Sequence, residues 1–224
     1  MSRVTAYVRT APFTFAYLAL LLGTTALLAV SSERGRTVLL HASSTNLHEL
    51  GHAPVRVLLA SALWLQGFSV LTWVLLFVIV LAAVEQALGT RRAVAVFAAG
   101  HIGATLLTAL ALWIGVRAGA FSPHLDDAVD VGVSYGFVAA AAAFTFVLPR
   151  RLRLAYATAL LGYLVFRLVA SHTFTDAGHL VALAIGYGLW WTGLADPRRV
   201  RSRTILEACP PALSQHHAHS SRMR

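Results

Sequence analysis

Charge is what this sequence has least of. Asp, Glu, Lys and Arg make up 12% of the 224 residues, where a soluble domain carries about a quarter, and mean hydropathy is +0.69. A chain so poor in polar side chains cannot cover itself in water, which excludes a soluble globular domain. Lysine is absent, so all 18 basic residues are arginine, and against nine acids they leave a net charge of +9. The only cysteine is Cys209, in a polar stretch, which excludes an intramolecular disulfide and any multi-cysteine metal site. The positive balance does not point to nucleic acid. The arginines stand in short clusters between apolar runs, where they govern membrane topology.

Long apolar runs are what the sequence has instead. Crossing about 30 Å of hydrocarbon takes about 20 apolar residues, and six stretches between charges meet that need. They predict helices at about 11–30, 68–86, 93–114, 131–149, 154–172 and 177–194, an all-α polytopic bundle of six transmembrane helices within residues 1–194. The first run follows Arg3 and Arg9 like a signal peptide, but it is long for one and no small-x-small site follows it, so it reads as a retained helix. Residues 31–66 form a polar outer loop in which Val55 to Leu65 lies in or on the membrane. His41, His48, Glu49 and His52 in that loop read as solvated rather than metal-bound. Residues 195–224, rich in Arg, Ser and His with paired prolines, read as a disordered basic tail suited to anionic headgroups.

An inside N-terminus places Arg3, Arg9, Arg91, Arg92, Arg150, Arg151, Arg153, Arg198, Arg199, Arg201, Arg203, Arg222 and Arg224 on the cytoplasmic side, 13 of the 18. The opposite side receives Asp126, Asp127, Asp130 and Asp176 with four arginines. The expectation is a multi-pass protein of the cell membrane with both termini cytoplasmic.

Polar side chains inside a bilayer are costly and so draw attention. Ser134 lies four residues past Asp130, and His179 three past Asp176; at about 1.5 Å of rise per residue both sit about 5 Å inside the outer boundary. A serine needs a base within hydrogen-bond reach to become a nucleophile, and histidine is the usual one. Spacing alone leaves a second reading open, in which Ser134 bonds back to its own helix and His179 caps the sixth. Gly132 and Gly136 flank Ser134, and Gly178, Ala182 and Gly186 repeat every four residues along the sixth helix. Such stripes let backbones approach closely, whether for a site or for ordinary packing. His101 falls near mid-membrane and is expected to make an interhelical hydrogen bond, while Arg167 is near enough to the outer face to snorkel. A transporter would need a polar path through the membrane, and only His101 lies deep.

From about residue 45 to 193 the chain resembles the rhomboid family of intramembrane serine proteases. Glu85 and Gly89 match the E-x-x-x-G ending the family's second helix. Gly132-Val133-Ser134 matches the start of G-x-S-G, whose serine is the nucleophile, and Gly178-His179 through Gly186 is close to A-H-x-x-G-x-x-x-G, whose histidine is the base. The resemblance implies a six-helix bundle with catalytic residues Ser134 and His179, around an outward-opening, water-filled cavity where a transmembrane substrate is cut. It implies no metal or organic cofactor. Three departures stand beside it: Tyr135 takes the place of the glycine after the serine, Gly67 to Trp73 carries neither the His nor the Asn of the family's oxyanion-binding H-x-x-x-N, and His52-Ala53-Pro54-Val55-Arg56 stands where the family's first loop has a W-R pair. Two functions therefore remain in view, a protease and a non-catalytic rhomboid-like binder of client transmembrane helices. For either, the expected partners are the lipid bilayer and transmembrane segments of other proteins, with no nucleic acid.

Overall fold

A computed structural model describes residues 3–122 and 129–197; the basic tail beyond, with Asp126 and Asp127, lies outside the described residues. The described chain is all helix and turn: α1 (Arg3–Thr10), α2 (Pro12–Val30), α3 (Glu33–Ala42), α4 (Leu47–His52) and α5 (Pro54–Ser61); α6 (Val70–Leu88), α7 (Thr90–Arg117), α8 (Ser134–Val147), α9 (Arg150–Ser171) and α10 (Phe174–Trp191). Four of these, α2, α6, α7 and α9, are long and apolar enough to cross a membrane. The segment predicted as a polar loop, residues 31–66, holds the three short helices α3 to α5.

α8 is the centre of the bundle. Ten of its 14 residues are buried, and it is sandwiched between α7 and α10. Small residues make that possible. A Cβ on Gly100 of α7 would overlap Ala139, one on Gly136 would meet the Phe97 ring at 2.5 Å, and one on Gly186 would meet the Ala139 carbonyl at 2.5 Å. Backbone proximity of this kind replaces the hydrophobic drive that is missing between helices in lipid. α9, by contrast, buries only Leu164, and Leu154, Phe166 and Val169 are exposed along it. Exposed apolar side chains on a peripheral helix are what a hydrocarbon solvent requires.

α6 carries a π-helical turn at Phe77–Leu81. Phe77 there stacks on Phe137 at 5.8 Å between ring centroids, and Trp73 meets Phe137 edge-on at 5.5 Å. The start of α2 is held from outside its own sequence. Ala11 offers no capping side chain, and the buried Glu85 carboxylate instead accepts the Phe13 N–H at 2.9 Å, the Thr14 N–H at 2.7 Å and the Thr14 hydroxyl at 2.8 Å. The Thr90 hydroxyl donates to the same carboxylate at 2.8 Å. Gly89 makes the α6–α7 turn at φ 81° and ψ 154°, a region that glycine alone enters readily.

Candidate active site

Ser134 is positioned by the segment just before α8. Gly132 donates its N–H to the Ser61 carbonyl at 2.8 Å and Val133 to the Trp64 carbonyl at 3.2 Å, which docks the chain onto the segment at the end of α5. Gly132 adopts φ 137° to do so. This docking places the start of α8 at Ser134 rather than near residue 131. The amides of Ser134, Tyr135 and Gly136 form its first turn; among the described residues they have no acceptor, while Phe137 N–H closes the first helical bond to Val133 at 3.0 Å. Val133 contributes no side-chain cap. Free amides at a helix N-terminus favour negative charge.

Ser134 and His179 both line a cavity of about 510 Å³. The cavity runs between α6, with Thr72, Trp73 and Leu76, and α9, with Tyr156, Tyr163 and Arg167. Its walls are mainly apolar and aromatic. Among the described residues no hydrogen bond joins Ser134 to His179, and the Ser134 hydroxyl makes none back to its own helix. Ser69 and Thr72, the hydroxyl residues nearest the family's oxyanion-binding positions, are occupied with each other at 2.8 Å, and Ser69 also caps α6 through the Thr72 N–H at 3.1 Å. The α8 amides are free donors beside the serine.

His179 sits on the first turns of α10, whose N-cap is Thr173: its hydroxyl accepts the Asp176 N–H at 3.1 Å and donates to Asp176 Oδ2 at 2.5 Å. The other carboxylate oxygen faces Arg167 at 3.2 Å and His179 Nδ1 at 3.8 Å. Tyr135 packs edge-on against the His179 ring at 5.1 Å, and its ring fills the space where Gly178 has no side chain. A bulky residue after the serine is therefore matched by a missing one on α10. The Tyr135 hydroxyl donates to Asp130 Oδ2 at 3.3 Å, and Thr175 donates to Asp130 Oδ1 at 3.4 Å. Asp130 also ties down the segment between α3 and α4, accepting the Thr45 N–H on its carbonyl at 2.9 Å and donating its own N–H to Ser44 Oγ at 2.9 Å. Burial raises the Asp130 carboxyl from 3.8 to about 6.

Behind Ser134 lies a second polar group. His101 Nε2 is 3.0 Å from the Leu58 carbonyl and 3.1 Å from Ser61 Oγ, which joins α7 to α5. A narrow cleft connects Ser61, His101, Thr105, Asp130 and Ser134, and His101 Nδ1 and the Thr105 hydroxyl are buried there without a partner.

A family model described as "Rhomboid-like protein" matches residues 6–196. The chain belongs to the rhomboid-like family. No curated protein and no solved structure matches it. In this rhomboid-like bundle the motif residues have distinct structural places. Glu85 and Gly89 hold α2, α6 and α7 together, Gly136 opens α8 to Phe97, and Gly178 receives Tyr135. Ala182 and Gly186 continue the α10 face against α8, with Ala182 fully buried. Ser134 and His179 border one cavity.

Sequence reasoning passed over Asp176, Asp130 and Arg167. The two acids read as helix boundaries, yet Asp176 is 1% exposed. Arg167 read as a snorkelling cation, yet it turns to Asp176. The available signal was arithmetic: Asp176 and His179 are three apart and share a helix face.

Proposed function

We propose that the chain is an intramembrane serine protease in which Ser134 is the nucleophile and His179 the general base. The observation that carries this reading is the shared cavity, with an unbonded serine hydroxyl and a histidine on different helices lining one space of about 510 Å³ between α6 and α9. In the reading, all six long or buried apolar helices, α2 and α6 to α10, cross the bilayer, the termini are cytoplasmic, and a transmembrane segment enters from the lipid between α6 and α9. Ser134 Oγ attacks a peptide carbonyl carbon while its proton passes to His179 Nε2. That proton then goes to the departing amine as the C–N bond breaks. Water attacks the resulting ester, giving its proton to His179, and the acid product leaves as Ser134 recovers its hydrogen. The α8 amides supply the oxyanion donors, a role worth about a hundred- to a thousandfold in rate for one donor.

A second reading, a non-catalytic binder of client transmembrane helices, is favoured by the apolar walls and by the missing Ser134–His179 hydrogen bond. Co-reconstitution with a library of single-span reporter segments separates the two. Cleavage by wild type that Ser134→Ala abolishes supports the protease. Crosslinking of reporters to the cavity without cleavage, unchanged in Ser134→Ala, supports the binder and overturns the first reading.

A further inference from the structure

We infer that Asp176 is a positioning residue for His179, turning the imidazole so that Nε2 is the nitrogen offered to Ser134; the inference rests on the proposed Ser134–His179 chemistry. Three observations carry it. The Asp176 carboxylate is 1% exposed, so it does not stand there as a solvated helix-end charge. Its two oxygens are divided in use. Oδ2 accepts the Thr173 hydroxyl, which completes the α10 cap, whereas Oδ1 is turned to the side of the helix that bears His179 and faces Nδ1 at 3.8 Å. That gap is longer than the roughly 2.7–3.2 Å of a formed N–H···O bond, and catalytic hydrogen bonds are commonly long before substrate binds. Finally, Arg167 reaches the same Oδ1 from α9 at 3.2 Å, so a buried charge has its counter-ion on a neighbouring helix.

An imidazole whose Nδ1–H points at a carboxylate keeps its lone pair on Nε2, the state a general base requires. Tyr135 packs edge-on against the ring at 5.1 Å. The charged and titratable groups around His179 are Asp176 on its own helix, Arg167 on α9 and Tyr135 on α8.

A purely structural ion pair predicts something different. If Asp176 served only to staple α9 to α10, Asp176→Asn and Arg167→Gln would behave alike, because each breaks the pair. If it positions His179, Arg167→Gln leaves the carboxylate in place, while Asp176→Asn presents an amide that can donate to Nδ1 and so moves the proton to Nε2.

The test is ¹⁵N NMR of histidine-labelled full-length protein in micelles at about pH 8, where an ordinary imidazole is neutral, with the His179 signal assigned by its loss in His179→Gln. Wild type and Arg167→Gln are expected to show the Nδ1–H tautomer, and Asp176→Asn the Nε2–H tautomer. Rates of labelling by a serine-reactive fluorophosphonate are measured on the same samples. A loss of about a hundredfold or more is expected for Asp176→Asn; replacing the aspartate of a serine protease triad by asparagine costs about 10⁴. An Nε2–H tautomer in wild type overturns the inference whether or not Asp176→Asn and Arg167→Gln fold. So does the same His179 tautomer in Asp176→Asn and Arg167→Gln. Because the tautomer is read without serine reactivity, a wild type that has the Nδ1–H form but does not label overturns the protease reading and leaves the placement of His179 standing.

Discussion

Replacing Glu85 by glutamine tests how this bundle is held together. The carboxylate accepts four hydrogen bonds, two on each oxygen, from Phe13 N, Thr90 Oγ1, Thr14 N and Thr14 Oγ1. Glutamine keeps the shape but only one acceptor oxygen, so its amide nitrogen must face one of the donor pairs. Among the described residues a backbone N–H in that pair has no other acceptor. Leaving such a donor unsatisfied costs about 1–3 kcal/mol, and replacing charged acceptors by neutral ones weakens the rest. The expected loss for Glu85→Gln is about 2–3 kcal/mol, and for Glu85→Ala, which strands all four donors, about 4–5 kcal/mol. At about 2–4 °C per kcal/mol for a chain of this size, Glu85→Gln lowers the midpoint by about 5–10 °C. Thr90→Val removes one donor instead of the acceptor and costs about 1 kcal/mol. Thermal unfolding in detergent, followed by tryptophan fluorescence, reads all three. A Glu85→Gln midpoint within about 1 °C of wild type would refute the reasoning.

Other substitutions test other contacts. Gly178→Val drives a branched side chain into the Tyr135 ring and is expected to cost about 2–3 kcal/mol, much of it recovered by Tyr135→Ala in the same chain; unfolding midpoints of the single and double variants check this. Gly89→Ala places a Cβ on a backbone at φ 81° and costs about 1–3 kcal/mol, read in the same way. The Asp130 carboxyl, raised from 3.8 to about 6 by burial, binds its proton more tightly folded than unfolded. Its contribution is therefore fully present below about pH 4 and is lost as pH rises through about 6, a change of up to about 3 kcal/mol. Stability measured from pH 4 to 7 is expected to fall across that window in wild type, and the fall from this group to vanish in Asp130→Asn.

The membrane class was legible because it follows from hydropathy and from the placement of arginine, neither of which depends on tertiary detail. Glu85 and Gly89 were visible as a motif, but not the reason for them: a carboxylate reaching back 72 residues to cap another helix has no local signature. The shared cavity of Ser134 and His179 could be anticipated from equal depth, since helical rise converts sequence offset into height. Their lateral separation could not, because it depends on how Tyr135 and Gly178 interlock. Asp176 and Arg167 were missed for a related reason. An acid near a helix start reads as a boundary until the opposing helix shows what faces it. The π-helical turn in α6 was likewise invisible, since one extra residue per turn leaves an all-apolar run unchanged.

The central claim is an activated serine. Purified protein in detergent is treated with a serine-reactive fluorophosphonate, comparing wild type with Ser134→Ala and His179→Ala. Labelling of wild type that is lost in both variants is the predicted result. No labelling of folded wild type, under conditions where an active rhomboid protease labels, or labelling that persists in Ser134→Ala, would contradict it.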